Sequence, residues 1–464
     1  MSVLKPRAAP PLLALSLGYF LVMLDVTVVT VAVPAVQHSL RAGPSATQWS
    51  VDGYSVVFAA LLLLGGALGD RLGHRRVYLA GLVGFAGASV LCAVAAAPGA
   101  LIAGRLLQGA GAALLVPTSL ALLATTYPDR AARARALAFW AGVAAVAFAA
   151  GPVLGGLLVS GVGWRAVFWL NLPVTALAVV LVLRHVPAPA VSGCAKRMDV
   201  AGQVFAIVGL TGVAGGLNEA GTEGWTSAVV VTSFAVGCAA LVAFAVTERR
   251  RDRADAAPLL PPVLFADPGF AATAVIGVLL NLGYYGMLFV VTLYFQQQRG
   301  YDALTTGLLL LPTVCLALVA APLSSRLTAA HGPYRLMTAA LLLGSAGFLG
   351  WLVAGPETPY AALLFPLVAT GLATPSTVLA ATTAVIESAP DGKAGVASAV
   401  FQVSRQIGNA VGVALFGTVL AAAPNAYDGV RRSAVIASAA FCVGAVTAFL
   451  AGRRASRAAV FVGG

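Results

Sequence analysis

Apolar residues run through this chain in long stretches, broken at short intervals by charged or turn-forming residues. The pattern predicts fourteen helices, at 11–36, 47–69, 76–97, 100–126, 136–160, 165–184, 199–218, 226–247, 268–296, 304–325, 334–354, 359–386, 394–422 and 433–452. A helix needs about 20 apolar residues to cross a bilayer, and each stretch is close to that length. The breaks coincide with turn and charge signals such as Ala97-Pro98-Gly99, Tyr127-Pro128-Asp129-Arg130 and Gly355-Pro356-Glu357. The expected fold class is therefore all-α and integral to a membrane. Lys5 and Arg7 precede the first run, as they would in a signal peptide. That run continues to about Ala35, too long for a signal core, so it reads as an uncleaved first span.

Composition agrees with this reading. Of 464 residues, 60% are hydrophobic and only 9% charged, far from the balance of a soluble domain. A net charge of +12 raises the question of nucleic acid. The basic residues fall mostly in short loops, without the interleaved aromatics of a single-strand binder. No nucleic acid is expected as a partner, and the lipid bilayer takes its place. Basic residues concentrate on the cytoplasmic side of membrane proteins. With both termini cytoplasmic, 21 Lys/Arg lie inside and only Arg41, Arg165, Arg299, Arg431 and Arg432 outside, leaving Arg105 and Arg405 within helices. Cys92, Cys238, Cys315 and Cys442 lie in predicted spans and Cys194 in a loop. No close pair or Cys/His cluster suggests a metal site or a disulfide framework.

The segment Gly66-Ala67-Leu68-Gly69-Asp70-Arg71-Leu72-Gly73-His74-Arg75-Arg76 separates the second and third spans. Its glycines let the chain reverse, and its charges are too costly for lipid, so it reads as a tight cytoplasmic hairpin. Leu68-Gly69-Asp70-Arg71-Leu72 is faintly echoed by Leu323-Ser324-Ser325-Arg326-Leu327 at another cytoplasmic helix end.

Three ionisable residues lie within spans of the first half. At about 1.5 Å per residue, Asp25 is roughly 15 Å deep, Arg105 roughly 9 Å and Asp52 roughly 8 Å, all from the outer side. Intramembrane charges face a protein interior or an aqueous cavity and mark an ion or substrate path. The alternative is an Asp–Arg pair that only locks helices together, and Asp52 has the further alternative of reaching the interface. Desolvation favours the neutral form of a carboxylate and a nearby arginine favours the charged form. An acid whose surroundings alternate between the two can load and release a proton.

In the fifth span, Ala147, Gly151 and Gly155 form a small-residue face that admits a close helix neighbour, and Pro152 bends the helix. In span 13, Gln402, Arg405, Gln406 and Asn409 share one helical face. They either line a cavity or bond only to neighbouring helices. Asn281 and Tyr284 in span 9 are further cavity candidates. His38, His74, His185 and His331 lie in or beside loops.

Five strings together resemble the fourteen-span drug:proton antiporter family of the major facilitator superfamily. The hairpin is similar to G-x-L-x-D-R-x-G-x-R-R. Leu24-Asp25-Val26-Thr27-Val28-Val29-Thr30-Val31-Ala32-Val33-Pro34 resembles the first-helix motif, with Thr30 where Asn is usual. Arg105-Leu106-Leu107-Gln108-Gly109-Ala110-Gly111 resembles the fourth-helix motif R-x-x-Q-G-x-G. Ala147 to Gly156 resembles the antiporter signature G-x-x-x-G-P-x-x-G-G, with Ala147 for the first glycine. Trp164-Arg165-Ala166-Val167-Phe168-Trp169-Leu170-Asn171-Leu172-Pro173 resembles W-R-x-x-F-x-x-N-x-P at the sixth helix.

The resemblance implies a major facilitator fold with two six-helix halves, 1–190 and 256–464, and an inserted helix pair within 191–255. It implies proton coupling through Asp25 and Arg105; Asp52 is a further candidate from its place within a span. It implies conformational gating at Gly66, Asp70, Arg71, Gly73 and Arg75 and at Gly151, Pro152 and Gly155. Gln108, Asn281, Tyr284, Gln402, Arg405, Gln406 and Asn409 remain as cavity candidates. The expected function is proton-coupled export of hydrophobic drugs, antibiotics or related toxic small molecules by alternating access. Its partners are substrate and proton, its energy source is the proton gradient with no cofactor, and it acts as a monomer in a bacterial cytoplasmic membrane. Export of an endogenous metabolite such as a siderophore or amino acid is the alternative. An uptake symporter is disfavoured by the fifth-span string. An enzyme or sensor is disfavoured by the lack of a Ser/His/Asp or Cys/His set, phosphate loop or metal cluster. Acids at Asp25 and Asp52 would favour a lipophilic cation as substrate, while members of the family that the strings resemble also handle neutral and anionic compounds.

Overall fold

The computed structural model of the chain describes residues 9–187, 199–253, 262–388 and 394–462. Among them no strand occurs. The helices are α1 (Ala9–Leu40), α2 (Pro44–Leu72), α3 (His74–Ala93), α4 (Pro98–Thr126), α5 (Arg130–Gly161), α6 (Arg165–Trp169), α7 (Asn171–His185) and α8 (Val200–Glu223). They continue as α9 (Ala228–Arg253), α10 (Pro268–Leu293), α11 (Ala303–Leu309), α12 (Leu311–His331), α13 (Pro333–Leu349), α14 (Tyr360–Ser388), α15 (Ala394–Ala421) and α16 (Ala426–Val462). Lys5, Arg7, Cys194, Lys196, Arg197, Lys393 and residues 254–261 of the linker before the expected second half lie outside the described residues.

Among the described residues, 11 helices are long and apolar enough to cross a membrane, or 12 with a bent α2 taken as one span. α12 and α15 also have spanning length, at 21 and 28 residues. The chain is a multi-pass, all-helical membrane protein. Large apolar side chains are exposed along its helices, among them Val83, Leu107, Val236, Val242 and Phe449, while Asp25, Asp52, Arg105, Gln108 and Asn171 are buried. That is the reverse of a water-facing surface.

Local chemistry sets the helix ends. Gly73 has φ 94°, a conformation that glycine adopts without a Cβ penalty. Its N–H bonds to the Gly69 carbonyl at 3.0 Å, closing α2 directly before α3. Asp129 caps α5 by accepting from the Ala132 N–H at 2.7 Å, and Asp267 caps α10 through Phe270 N–H at 2.8 Å. Asp302, outside the spans, caps α11 through Thr305, and hydrogen bonds from that residue hold its carboxyl below the usual carboxylate range.

Three spans depart from the straight helices that hydropathy predicts. The expected span 165–184 is divided into α6 and α7, with Pro173 just past the junction. The expected span 304–325 is divided into α11 and α12, with Pro312 in the first turn of α12. A proline fits the first turn of a helix but not its interior. α2 bends by 51° between Leu62 and Leu64. Next to that bend, a Cβ on Gly65 would lie 2.0 Å from the Ala113 carbonyl of α4, so the two backbones touch where α2 turns. Such glycine pairs are an identifiable cause of kinks.

The chain forms two compact units. One comprises the described residues up to Ile207 with Asp302–Leu308, and the other Val208–Tyr301 with Leu309 onward. In the first, α1 packs on α5 and α7, and α4 packs on α2 and α3. In the second, α10 packs on α15 and α16, and α13 on α14 and α16. There too, Gly209, Gly212 and Gly216 of α8 lie against Leu241, Gly237 and Phe234 of α9, a small-residue seam of the kind membrane helices use.

Candidate functional site

The first unit is built around a buried charge pair. Arg105 of α4 donates from Nη1 to the Asp25 carboxylate of α1, and both side chains are almost wholly excluded from solvent. The guanidinium also donates to Gln108 Oε1 at 2.9 Å and to the Ser50 carbonyl at 2.9 Å, and lies 4.6 Å from the Tyr54 ring centroid. A cation over an aromatic face gains from the ring quadrupole. The second oxygen of Asp25 accepts from Gln108 Nε2 at 3.4 Å and from Asn171 Nδ2 at 3.3 Å. Ser89 Oγ accepts from both amides, at 2.8 Å and 3.2 Å. Five helices, α1, α2, α3, α4 and α7, thus each contribute a group. Burial of an ion pair demands that its remaining lone pairs and protons be satisfied, and these neutral groups do that.

The structure therefore brings together Asp25 and Arg105, as their similar depths suggest, and adds Gln108 to the same cluster. Asp52 is fully buried on α2, but the donors of Arg105 go to Asp25, Gln108 and the Ser50 carbonyl. Asn171 and Ser89 were not singled out from the sequence. Asn171 had a signal, as the conspicuous amide of the sixth-helix string. Ser89 had none, being a small residue in an apolar helix.

An apolar plug lies directly against this cluster. Four apolar residues lie about one turn from the polar ones: Val28 after Asp25 on α1, Cys92 after Ser89 on α3, Leu101 before Arg105 on α4, and Phe168 of α6 just before Asn171 of α7. These four pack with Val29, Ala32, Val36 and Trp164 into one buried group. Arg165 stacks over Trp164 at 4.3 Å and donates to the Ala95 carbonyl at 2.9 Å, tying the plug's edge to the end of α3.

The fifth-span string sits against α1 one turn from the acid. A Cβ on Gly151 would lie 2.7 Å from Thr27 Cβ, and one on Gly155 would lie 2.9 Å from the Val28 carbonyl. Beside Pro152, a Cβ on Gly156 would meet the Ala303 carbonyl at 2.6 Å, and one on Gly307 the Pro152 carbonyl at 2.2 Å. Those glycines thus set how closely α5 approaches the helix that carries Asp25.

The charged hairpin lies at the other end of the unit. Asp70 pairs with His74 at 3.2 Å and is largely exposed. Arg75 reaches back to the last turn of α7, donating to the Leu183 carbonyl at 3.0 Å, where cations meet the negative end of a helix dipole. A Cβ on Gly69 would collide with the His74 ring, whereas Gly66 has only Pro117 nearby. Arg71 is exposed in the last turn of α2.

In the second unit, Arg405 of α15 donates from Nε to Asn281 Oδ1 at 3.4 Å and from Nη1 to Gln402 Oε1 at 3.1 Å. Tyr284 is buried and bonds toward Thr313 of α12, which in turn lies 3.3 Å from Thr370 of α14. Gln406 and Asn409 are buried on α15. Of the expected cavity residues in this unit, Arg405, Asn281 and Gln402 meet directly, while Tyr284 turns to a different neighbour. Among the described residues, no group of His, Cys, Asp and Glu is arranged to hold a metal.

A family model described as Major Facilitator Superfamily matches residues 15–413. The methylenomycin A resistance protein of Streptomyces coelicolor is 37% identical over 452 residues, covering 96% of this chain and 93% of that protein. The tetracenomycin C resistance and export protein of Streptomyces glaucescens is 35% identical over 422 residues, covering 90% and 77%. Among solved structures, the peptide transporter POT in complex with sulfate aligns with a TM-score of 0.71 at 15% identity, covering 96% of this chain and 95% of that one. That last likeness concerns the fold alone.

Proposed function

The chain belongs to the major facilitator superfamily, and on that premise we propose that it exports drugs, antibiotics or related toxic small molecules in exchange for protons. The naming of the relatives above as resistance and export proteins supports the substrate class. The observation that carries the coupling is the Asp25–Arg105 pair, buried at the junction of five helices. Two unit charges about 4 Å apart attract by about 4 kcal/mol at an effective dielectric of 20. Making and breaking such a pair shifts the balance between charged and neutral carboxylate roughly a thousandfold.

In this reading Asp25 takes up the proton when Arg105 withdraws and releases it when the pair re-forms. Gln108, Asn171 and Ser89 orient the carboxylate in both conditions. With both termini cytoplasmic, the plug around Val28, Cys92, Leu101 and Phe168 lies on the outer side of Asp25 and excludes water from it. The helix α1 moves against the glycines Gly151 and Gly155 as access alternates. Asp70, Arg71 and Arg75, with Gly66 and Gly73, govern the conformational cycle without touching substrate, and Asp52 is a second candidate for proton binding.

The same reading assigns the chain to the fourteen-span antiporter branch. α11–α12 and α15 complete the set of spans, and α8 and α9 form the inserted pair between a first half, 1–190, and a second, 256–464. It functions as a monomer in a bacterial cytoplasmic membrane, with the proton gradient as energy source and no cofactor. The test is expression in an efflux-deficient bacterial host, with susceptibility and direct efflux measured over a panel of antibiotics, siderophores and amino acids. Raised resistance with proton-dependent efflux of at least one antibiotic is expected. Efflux of a siderophore or amino acid with no change in antibiotic susceptibility would replace this reading with metabolite export.

A further inference from the structure

Arg105 and Arg405 are the two arginines well inside the expected apolar spans, and they are solvated differently. Arg105 has the Asp25 carboxylate. Arg405 lies 11 residues from Ala394 and 16 from Ala421 along α15, roughly 17 Å and 24 Å from its ends. Its hydrogen-bond partners are the neutral amides of Asn281 and Gln402. Among the described residues, no carboxylate pairs with it, and Nη2 has no protein partner. The sequence explains why: segments 268–301, 303–356, 358–386 and 394–421 contain no Asp or Glu. The second unit thus holds a cation deep in α15, and among the described residues of helices α10 to α15 the one acid is Glu387, next to the last residue of α14.

The position is fixed by close helix packing. A Cβ on Gly408 would lie 2.1 Å from the Val278 carbonyl, one on Gly412 would lie 2.4 Å from the Leu282 carbonyl, and one on Gly277 would meet Ser404 Oγ at 2.6 Å. These contacts lock α10 to α15 in a register that sets Asn281 beside Arg405. One turn beyond Asn281, Tyr284 and Tyr285 meet edge to face at 5.4 Å, an aromatic surface on the same helix. Arg405 itself is only partly buried, so a small molecule can reach it.

An arginine inside a membrane protein is tolerated when its charge is answered, and otherwise marks a ligand path. The planar guanidinium fork matches a carboxylate through two parallel hydrogen bonds. The geometry points to Arg405, held by Asn281 and Gln402, as the receptor for a carboxylate on the exported molecule. The substrate class is a small apolar or aromatic monocarboxylic acid. This inference rests on the chain being an exporter and names the class of its cargo. It runs against the lipophilic cation that Asp25 and Asp52 suggest from sequence, because Asp25 is already neutralised by Arg105.

The test is equilibrium binding to purified protein in phosphatidylcholine nanodiscs at pH 7. The probes are benzoate, 1-naphthoate and decanoate, each with its methyl ester, and 1-naphthylmethylamine. At least one acid should bind ten-fold or more tightly than its ester and than the amine. Arg405→Gln should bring that acid to the level of its ester while leaving the ester's affinity unchanged, and Arg405→Lys should keep part of the preference. A merely structural arginine would lower acid and ester together. Equal binding of acid and ester, failure of all three acids to bind, or a preference that survives in Arg405→Gln would overturn the inference. Loss of the preference in phosphatidylglycerol nanodiscs would assign the site to a lipid headgroup and overturn it equally. Binding here needs no proton gradient, so absence of proton-driven flux would count against the export reading and leave this one standing.

Discussion

A guanidinium and a carboxylate buried in a helix bundle serve as each other's solvent, and removing one strands the other. Breaking a buried pair by deleting one partner costs about 3–5 kcal/mol. Arg105→Leu should therefore lower the thermal unfolding temperature in detergent, and Asp25→Asn/Arg105→Leu should be less destabilised than the sum of its single variants. An Arg105→Leu protein that melts like the parent would show that the pair contributes nothing to stability. Part of this cluster was legible beforehand: Asp25 and Arg105 stood out as charges at similar depth in apolar runs, whereas Asn171 was not singled out although it is the amide of a recognisable string. Ser89 was invisible, because nothing in one apolar helix reveals that its serine will accept from Gln108 and Asn171 on two others. Gln108 was expected to line a cavity, whereas Arg105, three positions earlier on the same helix, draws it into the ion pair.

The helices themselves follow from apolar length; the bend in α2 goes with its close contact with α4, and the two divided spans break beside Pro173 and Pro312, none of which hydropathy registers. The bend in α2 and the divisions at Leu170 and Leu310 interrupt stretches that read as continuous. The small-residue face of α5 was legible, but its partner was not. In the structure it is α1 at Thr27 and Val28, beside Asp25. Gly151→Ala should destabilise by roughly 1–3 kcal/mol, the range for overpacking, and should impair transport. Gly142→Ala, on the same helix with nothing within 4 Å, should do neither. Thermal unfolding and flux on the two variants compare these directly, and equal behaviour would remove the α1–α5 contact from the account. At the hairpin, Asp70 is largely exposed and, among the described residues, its ion pair is with His74, so Asp70→Asn should change stability by less than about 0.5 kcal/mol. Transport by that variant should nevertheless fall at normal expression. Undiminished turnover would remove its gating role.

At the scale of the whole molecule, the charge distribution predicts how the chain sits in the membrane. Cysteines introduced at Leu40, Arg75 and Asp252 on a cysteine-free background should react with an impermeant maleimide from outside at position 40 only, and from inside at 75 and 252. Labelling of 252 from outside would reverse the placement of α9 and with it the inserted pair. Each unit holds an arginine deep in its helices, ion-paired with Asp25 and buried in the first, held by two amides and partly buried in the second. The central claim is that Asp25 binds the proton that drives export. The most direct measurement is uphill efflux of an identified substrate from reconstituted proteoliposomes driven solely by a pH gradient, parent protein against Asp25→Asn. The variant should lose pH-driven accumulation entirely while retaining substrate exchange without a gradient. Uphill transport by Asp25→Asn at the parent's rate would contradict that claim and turn attention to Asp52.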